Sequence, residues 1–472
     1  MNTRPTVSSP GQIDSGHGLP VYTGNSKIYP KRMPGRFRRL KWWTASLWLG
    51  FFLGPYLQWE GRQAILLDIP ARRFQFFNLI ILPEDVWLLA FVLLFLAMLL
   101  VLVTVVAGRA FCGYFCFQTV WTDLYTWIET LIEGPPRTRQ RLDQGAWDVR
   151  KMLSKAVKHL LWLLIAAFTG LSFAAWFTDA GQLWIDYFTL HAHPSAWVVL
   201  GLFTAGTYLF AGFMREQVCF WLCPYARIQG VMYGDNTILP TYDYLRGEPR
   251  HHRSSRQDNY AGDCVDCGLC VSVCPTGIDI RDGQQIGCIT CGLCIDACDH
   301  VMTRIDRPTG LIRYSSLAKL QPAEGRALQG IPLVIISLTL LTSCLLVIIL
   351  GINNISDANI NVHHHRQPLF ITMSNGDIRN RYRLKVHNKT QRPARYQLSV
   401  IGLKDLRING QANFTLAAET TRVRDIFLEL PESQLPAGIN PIEFRLIQQG
   451  GAVIMHKSVF IGPDSSVAGD AS

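Results

Sequence analysis

The most regular pattern along the chain is a series of long, almost uncharged apolar runs separated by polar connections. Five runs reach the roughly 20 residues needed to cross a bilayer core of about 30 Å. They are Trp42 to Trp59, Val86 to Ala107, Leu160 to Thr178, Pro194 to Met214 and Ile331 to Ile352. Each predicts an apolar helix, although Gly50, Gly54 and Pro55 interrupt the first. Trp42, Trp43, Trp59, Trp87, Trp176 and Trp197 stand near run ends, where an amphipathic ring favours the membrane interface, and anchoring accounts for them. Beyond Gly351 the texture changes to short alternating runs: Arg381 to His387, Tyr396 to Ile401, Arg422 to Leu430 and Ile442 to Ile447. Separated by Asn, Gly and Pro turns, they predict an all-β, immunoglobulin-like sandwich. No cysteine occurs there, so the disulfide usual in such domains is missing.

Composition sharpens this picture. A length of 472 residues is enough for two or three domains, and a hydrophobic share of 49% is high for a soluble chain. The formal charge of +10 would suit nucleic acid, but the basic residues cluster beside the apolar runs, as membrane orientation requires. Between the second and third runs lie Arg109, Arg137, Arg139, Arg141, Arg150, Lys151, Lys155 and Lys158, whereas Asp179 to His193 holds no Lys or Arg. The connection from Arg215 to Arg326 is again rich in arginine. The N-terminus, the second connection and this long segment are therefore expected in the cytoplasm, and everything after the fifth run outside it. Arg62, Arg72 and Arg73 run against the rule, with Glu60, Asp68, Glu84 and Asp85 nearby. The first forty residues lack a secretory signal pattern; Met1 to Leu40 reads as a mostly disordered basic tail.

Eight of the thirteen cysteines fall in two short runs of the long arginine-rich segment. Cys264, Cys267, Cys270 and Cys274 form C-x2-C-x2-C-x3-C followed by Pro275, and Cys288, Cys291, Cys294 and Cys298 repeat the spacing. This is the ligand spacing of a two-cluster bacterial ferredoxin, in which the fourth thiolate of each run serves the other cluster. Cys264, Cys267, Cys270 and Cys298 should hold one 4Fe-4S cluster, and Cys288, Cys291, Cys294 and Cys274 the second. Zinc ribbons usually pair two C-x-x-C elements instead.

A second set sits at the ends of the second and fourth runs: Cys112 and Cys116 after one, Cys219 and Cys223 after the other, each C-x3-C. The chain thus reads as a duplicated unit of two spans plus a cysteine pair. On a helix, residues four apart share a face at about 5–6 Å between Cβ atoms, so each pair could offer two thiolates to one metal. A single such pair would be read as buried packing, but two equivalent pairs favour a site. Cytosolic thiols stay reduced, and soft thiolates suit Cu(I). Cys344, alone within the fifth run, reads as packing. His191 and His193, and His363, His364 and His365, are candidate imidazole ligands for copper, set against the ordinary reading of solvated loop histidines. His159 reads as an interface residue. No dinucleotide fingerprint is evident, so a nicotinamide donor would act through a partner.

Together these motifs resemble a known family, the cytochrome c oxidase accessory proteins called CcoG, FixG or Rdx. The resemblance runs from about Tyr29 to Pro463 and rests on Gly113-Tyr-Phe-Cys116-Phe-Gln-Thr-Val-Trp121-Thr-Asp123, Cys223-Pro-Tyr-Ala-Arg227 and Cys274-Pro-Thr-Gly-Ile-Asp-Ile-Arg281. Cys294-Ile-Asp-Ala-Cys298-Asp-His-Val-Met302 and Gly310-Leu-Ile-Arg-Tyr314 match as well. It implies a bacterial inner-membrane protein with two 4Fe-4S clusters, a periplasmic immunoglobulin-like domain and a role in assembling the cbb-type oxidase, with cupric reduction as the activity. Where the family usually has proline after the first C-x3-C, this chain has Phe117, so the first site is expected to be held differently.

The expected fold class is a multidomain membrane protein: an α-helical transmembrane bundle of about five spans, a dicluster ferredoxin-like domain and a C-terminal all-β sandwich. The divisions are a tail at 1–40, a four-span membrane domain at 41–235, a cytoplasmic dicluster domain at 236–326, a fifth span at 327–356, an immunoglobulin-like domain at 357–464 and a tail at 465–472. Cys112, Cys116, Cys219 and Cys223 are the expected copper site, with copper as substrate. The expected partners are membrane lipid, a cytoplasmic electron donor, copper-handling proteins and cbb-type oxidase subunits, with a homodimer as a further arrangement and no nucleic acid. Two rivals are a quinol-linked polyferredoxin feeding a periplasmic reductase and a non-catalytic assembly scaffold.

Overall fold

The computed structural model describes residues 27–232, 234–250, 262–320, 331–436, 438–448 and 453–463. The chain divides into two compact units: Met1–Phe74 with Val86–Ile348, and Gln75–Asp85 with Ile349–Ser472. Among the described residues, four helices are long and apolar enough to cross a membrane: Val86–Ala107, Val149–Ala174, Pro194–Met214 and Pro332–Asn353. Leucines such as Leu89, Leu93 and Leu96 lie exposed along the first of them, a surface that only lipid would cover favourably. The protein is a membrane protein.

Four of the five expected runs are thus single helices, with both ends of the third moved. The third helix starts at Val149 instead of Leu160, because Asp148 caps it by accepting a hydrogen bond from Lys151 N at 2.7 Å. Its basic first turns, which carry Lys151, Lys155 and Lys158, were read as connection. The run from Trp42 to Trp59 is not one helix. Arg36–Ser46 and Leu49–Leu53 are α-helical, Gly54–Tyr56 is a 3₁₀ turn, and Gln58–Trp59 is a short strand. The first two pieces join through i→i−3 bonds, Leu47 N to Thr44 O at 3.2 Å and Trp48 N to Ala45 O at 3.1 Å. The hydroxyls of Thr44 and Ser46 bond back to carbonyls three and four residues earlier, competing with the helical ladder.

The N-terminal stretch also differs from expectation. Residues 1–26 lie outside the described residues, but 27–40 are held by specific bonds. Lys27 Nζ and Tyr29 Oη donate to Asp143 at 2.8 and 2.7 Å, Lys31 N donates to Ser272 O at 2.7 Å, and Arg32 donates to Asp123 at 2.9 Å. Asp296 caps the Arg36–Ser46 helix by accepting from Phe37 N and Arg38 N at 2.9 and 3.0 Å. The basic residues there are ligands of specific carboxylates, not only a topology signal.

In the same unit, strands Leu239–Tyr242 and Ile312–Ser315 pair antiparallel, with Tyr242 opposite Ile312. They pack with the Leu293–Arg304 helix around Ile280, Ile295, Met302 and Leu311. The second unit holds two antiparallel sheets. One runs in the order Arg407–Asn409, Thr421–Pro431, Asp377–Asn388, Ala358–His364, and the other Asn413–Leu416, Ala394–Ile401, Ile439–Gln448, Val453–Ile461. All four alternating runs read from the sequence lie within these strands. Their buried positions, among them Tyr382, Leu384, Leu398, Leu428, Phe444 and Leu446, form one core between the sheets, as the period of two requires.

Leu428 is completely buried in that core, whereas Val423 on the same strand is 55% exposed. Leu428→Ala should therefore destabilise this unit by about 2–5 kcal/mol. Val423→Ala should stay within about 0.5 kcal/mol. The check is the urea midpoint of the β-sheet circular-dichroism transition in purified protein.

Candidate iron–sulfur and thiol sites

Each ferredoxin run places its second and third cysteines around a Gly-Leu pair, and both glycines adopt the left-handed conformation: Gly268 at φ 61° and Gly292 at φ 71°. The second glycine is also sterically fixed, since a Cβ there would lie 2.8 Å from the Phe37 ring. After each glycine a helix begins, a short one at Leu269–Ser272 and a longer one at Leu293–Arg304 that carries Cys294 and Cys298 one turn apart. Two cavities of about 360 Å³ each result. One is lined by Cys264, Cys267, Cys270 and Cys298; the other by Cys274, Cys288, Cys291 and Cys294, with Cys270 also at its wall. The fourth cysteine of each run has crossed to the opposite set, the exchange expected from the spacing.

These residues fit two 4Fe-4S clusters chemically as well. Burial pushes the thiols of Cys270, Cys288 and Cys298 up to about 12, so thiolates persist there only if a cationic centre balances them. The loops are braced by ion pairs, Arg246 to Asp263 at 2.5 Å and Arg281 to Asp279 at 2.6 Å, while Arg307 also reaches Asp263 and Arg281 reaches Asp266.

The membrane cysteine pairs do not lie on uninterrupted α-helix, as the spacing had suggested. Cys112 belongs to the Ala110–Tyr114 turn and Cys116 caps the Phe117–Glu133 helix in an extended conformation. Cys219 lies in a π-helical turn, Val218–Leu222, and Cys223 follows it, also extended, just before the Pro224–Met232 helix. In both units the second cysteine donates its backbone N–H to the carbonyl five residues back: Cys116 to Phe111 and Cys223 to Val218, each at 2.9 Å. Such widened turns recur at functional sites. The two cysteine pairs therefore share one local fold, which supports the duplication.

This geometry also resolves the position after each pair. Phe117 and Pro224 both occupy the first residue of the following helix, where proline is tolerated because its missing N–H would be unpaired anyway. Proline there would start the helix and not break it, so Phe117 does not alter how the thiols are held. Its ring instead stacks on Trp121 at 4.1 Å and meets Trp48 edge-on at 5.5 Å.

All four membrane thiols are free. Burial raises Cys112 to about 11 and Cys219 to about 12, with the Arg109 guanidinium working the other way. Among the described residues, no three His, Cys, Asp or Glu side chains are grouped closely enough to hold a single metal ion.

Sequence reading missed the residues that join the two sets. Arg109 N donates to Thr290 Oγ1 at 3.1 Å, and its guanidinium donates to Ile286 O at 2.5 Å and Gln229 Oε1 at 3.2 Å. Gln229 Oε1 also accepts the Cys112 thiol at 3.4 Å. Tyr114 donates to Cys291 O at 3.0 Å, and Tyr314 to Thr290 O at 2.7 Å. Gly113 lets the turn close on this loop, because a Cβ would stand 2.5 Å from Ile289 O. Arg109, Gly113 and Tyr114 are contiguous with Cys112, which was the available signal; Gln229 and Thr290 had none.

His193 caps the Pro194–Leu209 helix and its ring bonds Ser195 Oγ at 2.8 Å, while His191 lies in the same connection. His159 bonds Tyr208 at 3.0 Å. His364 bonds Asn380 at 2.7 Å, and with His363 and His365 it belongs to the β unit. Cys344 is buried within its helix.

Apolar helices that end in paired-thiol turns, with a two-cluster cysteine fold packed directly on those turns, define a membrane-bound iron–sulfur electron-transfer protein. The chain belongs to the FixG/Rdx family. It is 39% identical over 464 residues to protein RdxB of Cereibacter sphaeroides, covering 94% of this chain and 97% of the relative. It is also 39% identical over 477 residues to RdxA of the same organism, covering 94% and 99%. With nitrogen fixation protein FixG of Rhizobium meliloti it shares 37% over 463 residues, 88% of each chain. Family models match as a 4Fe-4S dicluster domain over residues 214–317, a 4Fe-4S binding domain over 89–135 and the "IG-like fold at C-terminal of FixG" over 348–463.

Because the fourth ligands cross, single substitutions separate the clusters. Cys298→Ala and Cys274→Ala should each lower the iron content from about eight to about four per chain. The electron paramagnetic resonance signal lost should differ between the two variants. Loss of the same signal in both would contradict this division of ligands.

Proposed function

We propose that this protein is a bacterial inner-membrane metalloreductase that converts Cu(II) to Cu(I) for assembly of a cbb-type cytochrome c oxidase. The observation that supports the reading is the matched pair of C-x3-C turns, Cys112/Cys116 and Cys219/Cys223, the first of which is tied to the cluster-binding loop through Gln229 and Arg109. When bound, the two 4Fe-4S clusters supply one-electron transfer, and each Cu(II) takes one electron to become Cu(I). The thiols hold the copper: soft sulfur favours the reduced ion, and the Cu(II) charge draws off the thiol protons that burial otherwise retains. Arg109 and Gln229 are positioning residues that keep Cys112 registered against the Ile286–Cys291 loop. The basic connections argue for thiols and clusters on the cytoplasmic side and the β domain in the periplasm, facing oxidase subunits and copper-handling partners, with an unidentified cytoplasmic electron donor.

A second reading has its own support. The 4Fe-4S binding family model covers residues 89–135, which include Cys112 and Cys116. On that reading the four thiols are cofactor ligands in an electron path, as in a quinol-linked polyferredoxin, and copper is not the substrate.

Both readings are tested on anaerobically purified protein. Replacing Cys112, Cys116, Cys219 and Cys223 by alanine should abolish cupric reduction from an artificial donor while about eight irons per chain remain. An unchanged rate would overturn the copper assignment. Wild-type protein with about twelve irons, falling to about eight in the variant, would establish the second reading instead.

A further inference from the structure

A partly open pocket, whose roughly 620 Å³ of empty space includes open solvent, lies in the membrane and cluster-binding unit. Its wall includes Cys219 together with Thr276, Ile289 and Leu293, which stand beside cluster cysteines, so it adjoins both redox sites. Its charge is out of balance. Arg32, Arg38, Lys41 and Arg215 line it against only Asp123 and Glu216.

The cations are not surface residues. Arg38 is 8% exposed, Lys41 4% and Arg215 7%. Asp123 takes Arg32 at 2.9 Å and Arg38 at 2.9 Å, and it also feels Lys41, so one carboxylate serves three cations. Arg215 pairs with Glu129 at 2.6 Å, but Glu129 is shared with Arg139 at 2.9 Å, while Lys158 lies nearer Glu133 at 2.9 Å. Two guanidinium nitrogens, Arg38 Nε and Arg215 Nη1, are buried with no hydrogen-bond partner among the described residues. Buried cationic donors without partners are costly, and an anion removes that cost.

We infer that this cavity binds a phosphate group, through Arg38, Lys41 and Arg215. Guanidinium forks and an ammonium are the usual donors to phosphate oxygens, and the Thr119 and Thr122 hydroxyls on the same wall add neutral ones. The cavity sits where an apolar helix ends, with Arg215 directly after Met214. Basic pockets of this kind at a membrane boundary take lipid head groups, and free inorganic phosphate offers the same oxygens. The inference is independent of the copper reading.

The test uses full-length, anaerobically purified protein with its iron intact. Native mass spectrometry counts retained phospholipid, and lipid-stripped protein is then titrated calorimetrically with short-chain phosphatidylglycerol and, separately, with inorganic phosphate. One saturable phosphate group per chain is expected. Lys41→Gln and Arg38→Gln should each weaken binding by about tenfold or more, the worth of one charge-assisted hydrogen bond, with iron retained. Binding of phosphatidylglycerol but not phosphate identifies a lipid head group; comparable binding of phosphate identifies a free-anion site. Failure of wild-type protein to bind either probe saturably overturns the inference. So does undiminished binding by Lys41→Gln, which decides the matter if Arg38→Gln loses iron.

Discussion

The arrangement depends on one close approach, that of the Arg109–Tyr114 turn to the loop carrying Cys288 and Cys291. Only a residue without a Cβ fits at Gly113, where backbone from the two segments meets. Around that contact, Arg109 and Tyr114 bond to loop backbone or to Thr290, so the turn that presents Cys112 is fixed to the loop that presents cluster ligands. A connection through backbone and short side chains leaves little freedom between the two redox sites. That constraint explains why the first apolar helix ends where it does: Gly108, at φ 58°, breaks it one residue before Arg109 must reach the loop.

The second thiol pair is held by charge. The Phe117–Glu133 helix carries Glu129 and Glu133 fully inside the protein, where they meet Arg139, Lys155, Lys158 and Arg215. Pairs of this kind contribute little net stability but are costly to break singly, so they fix geometry. Arg215 is the member that matters for the site. Its backbone is left-handed at φ 45°, between the π-helical turns Phe210–Met214 and Val218–Leu222. Held by Glu129, and with its carbonyl accepting from Gln118 Nε2 at 3.0 Å, it turns the chain from an apolar helix into the Cys219–Cys223 segment.

What was legible in the sequence was whatever is encoded by local spacing. The ferredoxin cysteines, their crossed assignment, the duplicated C-x3-C and the alternating strands all follow from periods of two to four residues, and the structure holds the strands as read. The misreadings involved partners far along the chain. Residues 27–40 looked featureless because the carboxylates that order them, Asp123, Asp143 and Asp296, lie some 85 to 259 positions away. The run from Trp42 to Trp59 is apolar enough for one helix, but hydroxyl back-bonding from Thr44 and Ser46 is invisible to a hydropathy pattern. Gln229, two turns into the helix after Cys223, gains its role only when tertiary packing sets it between Arg109 and Cys112.

The paired turns bear on what the membrane thiols can do. In each unit the chain leaves the i→i−4 ladder just before the second cysteine, so that residue's backbone is extended and not locked in a helix. Two cysteines on a continuous helix would be held rigidly at one spacing. A cysteine at a helix break can change its separation from its partner with little cost to the ladder on either side. Burial meanwhile raises the Cys112 and Cys219 thiols to about 11 and about 12, so both are neutral near pH 7. On the proposed copper reading, adjustable, neutral thiols beside a fixed cluster fold suit an ion that enters, exchanges for protons and leaves. The ferredoxin cysteines, held by left-handed glycines and braced by ion pairs, suit a cofactor that stays.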